Sequence, residues 1–281
     1  MKFISYKLGD DGPETWGLVR EDGVVDLGAR SPHKSLRAAI AAGELEAIGQ
    51  AAVDGETDMV LPDITFLPLI TDPSQIFAAG LNYKDHVTET NNTLPAELNL
   101  FLRTTQSLAA HCDQMERPKV SDHYDFEGEL TAIIGKGGRH IAAADALDHV
   151  AGYTIFIDGS VRDYQRHSVT AGKNFYKSGP LGPWLVTADE IPDPSALELT
   201  TRLNGEVVQH STTDMLLFDL PYIISYISRF TPLEPGDVIA TGTPSGVGAR
   251  RDPPLWMKAG DRIEVEISRI GTLWADVVDE A

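Results

Sequence analysis

The chain has 281 residues, and its 42 aspartates and glutamates outnumber its 23 lysines and arginines, giving a formal net charge of −19. This excess of negative charge repels phosphate backbones and anionic lipid, which argues against nucleic acid and membrane surfaces as partners. Hydrophobic residues make up 42% and charged residues 23%, an ordinary globular composition that excludes bulk disorder.

The expected location follows from what the sequence lacks. The first residues contain no sustained apolar run of the kind that a secretory signal needs, and no later stretch is apolar for long enough to cross a bilayer. The single cysteine, Cys112, cannot close an intramolecular disulfide or build a thiolate zinc site. We therefore expect a cytoplasmic protein whose function resides in local groups of residues.

The N-terminal part, residues 1–68, is predicted to be a small α+β domain. Apolar residues alternate or cluster around glycine and aspartate turns, which is typical of strands, and one later segment has helical spacing. The predicted strands are 2–7, 15–19 and 23–27, and the predicted helix is 34–48. Prolines then break the regularity, and we place the boundary to the larger part, 69–281, at that point.

The larger part is mainly strand by pattern. The predicted strands are 75–79, 130–135, 152–157, 184–187, 197–203, 207–210, 238–241, 262–267 and 271–278, and the predicted helices are 83–90 and 220–230. Asn204 and Gly205 predict a tight hairpin, because this pair suits a type I′ turn. The predicted fold class is therefore α+β, mainly β, with polar residues on loops and strand ends.

The segment His123–Leu130 is the most informative motif. In an extended chain, alternate side chains share a face, so Asp125, Glu127 and Glu129 would point the same way. One interpretation is an amphipathic strand with a solvated charged face. The other is a bound divalent cation, since it relieves the repulsion between like charges; carboxylate oxygens favour Mg²⁺, Mn²⁺ or Ca²⁺ over zinc.

Four further features each have a functional and a structural interpretation. Asp158 ends an apolar strand, where a metal ligand would be rigidly held, but Asp-Gly is also common turn chemistry. Lys173 is either a fixed cation that stabilises an oxyanion or an ordinary solvated lysine. The glycine-rich stretch 242–248 holds an anion or is a plain turn. His86 and Glu89 share a helix face. They are either a general base with the carboxylate that orients it, or a weak surface pair.

Taken together and in order, these segments resemble the fumarylacetoacetate hydrolase family, in particular its small bacterial members. The resemblance covers nearly the whole chain. The matching segments are Gly80–Tyr83 with His86 and Glu89, Asp125–Leu130, Asp158–Gln165, Gly172–Phe175, Pro180–Trp184, Leu233–Ile239 and Thr241–Gly248. Each segment alone is weak, whereas their common order is specific for the family.

The resemblance implies a fold, an assembly and a set of site residues. The fold is the family's mixed β-roll catalytic domain with a small N-terminal domain, assembled as a homodimer. The implied site residues are Glu127, Glu129 and Asp158 as ligands of Mg²⁺ or Mn²⁺, with Ca²⁺ as a further option; His86, Glu89 and Lys173 as catalytic residues; and Tyr83, Arg103, Arg162, Gln165 and Thr243 as substrate-binding residues.

The implied activity is metal-dependent hydrolysis of a carbon–carbon bond in a 2,4-diketo acid, such as an acylpyruvate, a fumarylpyruvate-like compound or a diketo-deoxy sugar acid. The products are a 2-keto acid such as pyruvate and a carboxylic acid. His86, oriented by Glu89, would deprotonate water, and the metal with Lys173 would stabilise the released enolate.

Two alternatives stay open. Because the same enolate arises in decarboxylation and isomerisation, the chain is alternatively a decarboxylase, isomerase or tautomerase of a related keto acid, of the oxaloacetate or 2-hydroxymuconate type. A non-catalytic member that binds a metal and a keto acid is the other alternative. The chain departs from many relatives at Arg103, Ile157 and Tyr176, where they carry lysine, asparagine and aspartate, and these departures leave the substrate open.

Overall fold

The structure is a computed structural model that describes residues 1–9, 12–89 and 95–281, with all side chains in these ranges except those of residues 86–88. The strands of this described part are β1 (Lys2–Lys7), β2 (Glu14–Arg20), β3 (Gly23–Asp26), β4 (Thr65–Phe66), β5 (Ile76–Gly80), β6 (Asn99–Leu102), β7 (Leu108–Ala109), β8 (Gln114–Arg117), β9 (Tyr124–Asp125), β10 (Gly128–Ile134), β11 (Val150–Ile157), β12 (Ser160–Val161), β13 (Gly179–Thr187), β14 (Glu198–Leu203), β15 (Glu206–Thr212), β16 (Val238–Ala240), β17 (Arg262–Ile267) and β18 (Gly271–Asp279).

The helices are short, and the longest of them follows β15. The α-helices of the described residues are α1 (Leu27–Arg30), α2 (Leu36–Ala42), α3 (Leu45–Ala52), α4 (Lys84–Glu89), α5 (Arg162–Gln165), α6 (Val169–Lys173) and α7 (Leu220–Phe230). Short 3₁₀ helices lie at Leu61–Asp63, Thr105–Ser107, Ala143–His149, Ala188–Glu190, Pro194–Ala196, Thr213–Met215 and Gly248–Arg250. The content is mainly β, which confirms the predicted α+β, mainly β, fold class.

The strands form one large sheet and two smaller ones. The large sheet has the order β3-β2-β1-β13-β11-β10-β16-β5-β6, with β4 paired to β1 and β7 paired to β13. A second sheet has the order β15-β14-β17-β18-β8, and β9 pairs with β12 alone. The antiparallel pair β10 and β11 sets Gly128 opposite Ile157, so the start of one strand adjoins the end of the other.

The central strands of the large sheet are buried on both faces. On β10, Leu130 and Ala132 pack in a cluster with Leu199 and Val265 of the second sheet. Ile133 points to the other face and packs with N-terminal residues that include Phe3, Trp16 and Leu36. Burial on both faces explains why these strands are almost continuously apolar and why a polar side chain at a strand end is rigidly held.

The N-terminal strands continue the large sheet. Strand β1 pairs with β13, with Lys2 opposite Val186, and Arg37 donates to the backbone oxygen of Asp72 at 2.7 Å.

The division of the chain at residue 68 stays a prediction. None of the described helices is both long and apolar enough to cross a membrane, and the cytoplasmic location and the homodimer also stay predictions.

The single helix predicted over 34–48 is wrong, because the structure has two helices there. Helix α2 starts after Ser35, whose hydroxyl accepts from the Ala38 N–H at 3.2 Å, and it ends at Gly43. Gly43 has φ of 70°, a left-handed conformation that terminates a helix and that glycine adopts readily. Residues Leu45–Ala52 then form α3.

Candidate metal centre and active-site cavity

Three carboxylates meet where β10 begins and β11 ends. Glu127 directly precedes β10, Glu129 is its second residue, and Asp158 directly follows β11. Each offers an oxygen atom, and these atoms all lie within 4.8 Å of one another. Glu129 and Asp158 are only 1% and 0% exposed, so the interpretation as a solvated charged face is wrong.

The donor set of this cluster fits a hard divalent cation. Burial, together with the neighbouring carboxylates Asp158 and Glu127, raises the pKa of Glu129 well above its usual range. Ionised carboxylates this close are unfavourable unless a cation compensates them, and oxygen ligands are those that Mg²⁺, Mn²⁺ and Ca²⁺ prefer. The metal implied by the sequence therefore fits the residues that are present.

Two buried cations lie against the carboxylate cluster. The Lys173 ammonium lies 2.7 Å from Oδ2 of Asp158 and also donates to Oε2 of Glu127. Lys173 is 1% exposed, so it is not an ordinary solvated lysine. Arg103 donates to Oδ1 of Asp158 and, at 2.7 Å, to the hydroxyl of Ser178. Asp158 is thus held between two fixed positive charges.

Arg162 connects the cluster to a fourth buried carboxylate. Its guanidinium donates to Oδ2 of Asp125 at 2.8 Å, to Oε1 of Glu127 at 2.7 Å and to Oε1 of Gln165 at 2.9 Å. Asp125 also accepts from the N–H of Gly248 at 2.7 Å. Asp125 therefore positions both Arg162 and the glycine-rich stretch. The alternation in the motif predicted Asp125 on the same face as Glu127 and Glu129, but Asp125 was not among the expected site residues.

The glycine-rich stretch 242–248 uses its backbone to hold side chains of the site. The N–H of Gly242 donates to Oε2 of Glu129 at 2.9 Å. Thr243 is almost fully buried and its hydroxyl accepts from Nε2 of Gln209 at 2.8 Å. The stretch is therefore more than a plain turn, and the anions that it holds here are carboxylates of the protein.

Helix α4 lies against the same stretch. Oδ2 of Asp85 accepts from the Ser245 hydroxyl at 2.8 Å, and Oε1 of Glu89 accepts from the Gly246 N–H at 2.9 Å. His86 lies between these two residues on α4, but its side chain is outside the described part of the structure. The pairing of His86 with Glu89 stays a prediction.

A cavity of about 670 Å³ opens above the cluster. Glu127, Glu129 and Lys173 lie on its polar floor, where Arg162, Gln165 and Thr243 also contribute. Its sides carry apolar residues such as Phe101 and Trp256, and two more arginines, Arg166 and Arg250, complete the wall. The sequence reasoning missed the last four residues. They come from separate segments, and no local pattern marks them.

Two residues expected to bind substrate lie away from the cavity wall. Arg103 lies behind Asp158, as described above, and Tyr83 is fully buried. The Tyr83 hydroxyl has no hydrogen-bond partner among the described residues, and burial raises its pKa above the usual range. Neither Ile157, which is buried in the core, nor Tyr176, which is exposed, lines the cavity.

Comparison with known proteins identifies the family. The family model described as the C-terminal domain of fumarylacetoacetate (FAA) hydrolase matches residues 75–278, which include all three carboxylates of the cluster. Among curated proteins, the mitochondrial oxaloacetate tautomerase of Xenopus laevis is 37% identical over 99% of this chain and 90% of its own length.

Two solved structures superpose on the full length of this chain. Fumarylacetoacetate hydrolase from Exiguobacterium antarcticum superposes with a TM-score of 0.84 at 33% identity and covers 100% of both chains. Maleylpyruvate hydrolase from Sphingobium sp. SYK-6, solved with manganese(II) and pyruvate, has a TM-score of 0.83 at 29% identity, again over 100% of both chains. The family match, the fold and the buried carboxylate cluster agree, and this chain belongs to the fumarylacetoacetate hydrolase family.

Proposed function

We propose that the protein is a divalent-metal-dependent hydrolase that cleaves a carbon–carbon bond of a 2,4-diketo acid. The products would be a 2-keto acid such as pyruvate and a carboxylic acid. The observation that carries the proposal is the buried cluster of Glu127, Glu129 and Asp158, with Lys173 beside it on the floor of a cavity. The maleylpyruvate hydrolase structure with manganese(II) and pyruvate supports both the metal and the product class.

The charges around the cluster favour an anionic ligand once a metal is present. The three carboxylates of the cluster and Asp125 face three cations, so the ionised group has one net negative charge. The cations are Lys173, Arg103 and Arg162. A divalent cation reverses the sign of this charge. Bound Mg²⁺ or Mn²⁺ would also act as a Lewis acid on the keto-acid oxygens.

Lys173 is suited to stabilise the negative charge that develops on the leaving keto acid. Its ammonium lies 5.2 Å from the ring centroid of Phe101, and Lys173 lines the cavity although it is only 1% exposed. A fixed cation in such a site stabilises developing charge without the reorganisation that water requires. Arg162 and Gln165 hold each other at 2.9 Å and present donors to the same cavity.

The proposed base is His86, with Glu89 as its orienting partner. Asp85 and Glu89 both bind the glycine-rich stretch, whose Thr243 lines the cavity, and these contacts support a base on α4. A base there would take a proton from water, whose oxygen bonds to the distal carbonyl carbon. The bond between this carbon and C3 then breaks, its electron pair remains on the keto-acid fragment, and C3 takes a proton.

The test is turnover of acetylpyruvate and fumarylpyruvate by protein loaded with Mn²⁺, followed by loss of enol absorbance and by coupled detection of pyruvate. We expect stoichiometric pyruvate from the wild type and a rate lower by roughly 10²-fold or more in His86→Ala, since general-base catalysis typically contributes this much. His210→Ala, which changes an exposed histidine on β15, is the matched control. Wild-type rates in His86→Ala would remove His86 from the mechanism.

A second candidate function is tautomerisation of oxaloacetate, favoured by the name of the Xenopus laevis relative. The same assay separates the two activities. A tautomerase converts enol-oxaloacetate into the keto form and releases no second product, whereas a hydrolase releases pyruvate and a carboxylic acid in equal amounts. Accelerated enol decay of oxaloacetate, without cleavage of either diketo acid, would overturn the hydrolase in favour of the tautomerase.

A further inference from the structure

The cavity carries two arginines that pair with no carboxylate among the residues that the structure describes. Arg166 directly follows α5, and Arg250 lies just beyond the glycine-rich stretch; both are exposed side chains on the cavity wall. Neither guanidinium makes an ion pair or a side-chain hydrogen bond with any residue in the described part of the chain. They are thus free to bind a ligand.

The other cations of the cavity differ from this pair. Lys173 and Arg162 are both engaged with carboxylates of the cluster. Some exposed arginines elsewhere on this acidic chain do find partners, as Arg30 does with Asp58 and Arg262 with Asp276. In a protein with a net charge of −19, two unpaired arginines facing one cavity form a local positive region.

The wall near these arginines has the character of a binding surface. Val169, Pro254 and Trp256 supply apolar area, and the ring of His123 lies against Trp256 with centroids 5.0 Å apart. The cavity volume of about 670 Å³ is typical of sites for small organic ligands and exceeds what a three-carbon keto acid fills. A larger substrate therefore fits, with an apolar middle portion.

We propose that Arg166 and Arg250 bind a second carboxylate, at the end of the substrate remote from its keto-acid group. The guanidinium fork matches a carboxylate in shape and charge, and both arginines keep their donors available in the cavity. The preferred substrates are then keto acids with two carboxylates. This inference rests on the proposed function, which supplies the keto-acid end of the ligand.

Binding of unreactive keto acids to the protein loaded with Mn²⁺ tests the inference without turnover. The ligands form two matched pairs of equal carbon number: 2-oxoglutarate with 2-oxopentanoate, and 2-oxoadipate with 2-oxohexanoate. Within each pair only the terminal group differs. Titration calorimetry compares the wild type with Arg166→Ala, Arg250→Ala and the double variant. Arg139→Ala, which changes an exposed arginine outside the cavity, is the control.

We expect the wild type to bind the two-carboxylate member of at least one pair roughly tenfold or more tightly than its partner, as charged hydrogen bonds typically allow. Each arginine variant should lose this preference in part, and the double variant should lose it fully, while affinity for the one-carboxylate ligands stays constant. Lysine substitutions at both positions should restore part of the preference.

Two different results would contradict this inference, and they can be told apart. Equal affinity for both members of each pair, unchanged in the arginine variants, would overturn the role of Arg166 and Arg250 and leave the proposed function standing. Absence of binding by all four keto acids to Mn²⁺-loaded wild type would overturn the proposed function and this inference together. Thermal melting of each variant confirms that it is folded, as expected for changes at exposed side chains.

Discussion

Single residues of the candidate site carry buried charges of opposite sign, and these charges partly compensate one another. Lys173 and Arg103 occupy positions beside Asp158 where they neutralise part of the carboxylate cluster. Removing one member of a buried ion pair commonly costs about 3–5 kcal/mol, because the remaining charge is left uncompensated. Each residue of the cluster therefore affects both metal binding and stability.

Lys173→Met should separate metal binding from catalysis. Without the ammonium, the carboxylates lose a competing cation, so the affinity for Mn²⁺ should stay equal or increase. Turnover should fall by roughly 10²–10³-fold, because the charge that stabilises the developing anion is gone. Calorimetry and steady-state kinetics measure the two effects. Lys177→Met removes a lysine that pairs with Asp113 outside the cavity and should change neither quantity. Wild-type turnover in Lys173→Met would contradict the role of Lys173.

His111 should make stability depend on pH. Burial lowers its pKa to about 4, and its Nδ1 accepts from the backbone N–H of Trp274 at 3.3 Å, which requires the unprotonated ring nitrogen. The unfolded chain binds the proton near pH 6.5, so stability is complete above that pH and is lost as the pH falls towards 4. Between pH 7 and pH 5 the loss should be about 2 kcal/mol.

Urea unfolding of wild type and His111→Gln at these two pH values measures this contribution. The variant should be less stable at pH 7, because it loses the ring contacts with Phe66 and Trp274. It should also show a smaller decrease in stability between the two pH values. An equal decrease in both proteins would contradict the assignment to His111.

At the scale of elements, the site depends on the register of β10 with β11 and on the glycine-rich stretch. Gly242 has φ of 99°, and a Cβ at this position would lie 2.9 Å from the backbone oxygen of Ala79. The N–H of Gly242 also holds Glu129. This glycine is therefore required both for the turn and for the position of a metal-ligand candidate.

Gly242→Ala should lower both the stability and the Mn²⁺ affinity. The control is Gly205→Ala, since Gly205 also has a positive φ, of 84°, but open space where the Cβ would lie. Both variants should lose about 1 kcal/mol or more through backbone strain. Only Gly242→Ala should also bind Mn²⁺ more weakly, because the shifted stretch displaces Glu129. Equal metal affinity in the two variants would show that Gly242 has no role beyond the turn.

Secondary-structure elements were predicted correctly where a local sequence pattern marks them. The turn at Asn204 and Gly205 is confirmed, with φ of 53° and 84°, and Leu220–Phe230 is a helix as predicted. The sequence did not predict β6 or β8, because both are strands of only four residues, and the partner of β8 is β18 at the far end of the chain. The helix over 34–48 failed because a glycine within an otherwise helical pattern was not treated as a helix end.

Some residues of the candidate site could be predicted from the sequence, and others could not. The strand motif identified Glu127 and Glu129, the resemblance to the family added Asp158, and the structure brings their oxygens together. Arg166 and Arg250 could not be found from the sequence, because only the fold brings the end of α5 and the segment after the glycine-rich stretch to one cavity.

At the scale of the whole molecule, the net charge of −19 and the proposed anionic substrate act against each other. Long-range attraction cannot bring such a substrate to the protein, since the overall field repels it. Capture must then depend on short-range groups within the cavity. These are the metal, Lys173 and Arg162, with Arg166 and Arg250 at the outer wall.

Titration of Mn²⁺ into metal-free protein measures whether the carboxylate cluster binds a divalent cation. Glu129→Gln is the informative variant: it removes one ligand charge, keeps an acceptor for the Gly242 N–H and relieves like-charge repulsion, so the fold should persist. Asp276→Asn, in a surface pair with Arg262, is the matched control.

We predict one Mn²⁺ per chain for the wild type and for Asp276→Asn, and an affinity lower by roughly tenfold or more in Glu129→Gln, since affinity follows the number of charged ligands. Absence of Mn²⁺ binding by the wild type, or equal binding by Glu129→Gln, would contradict the account.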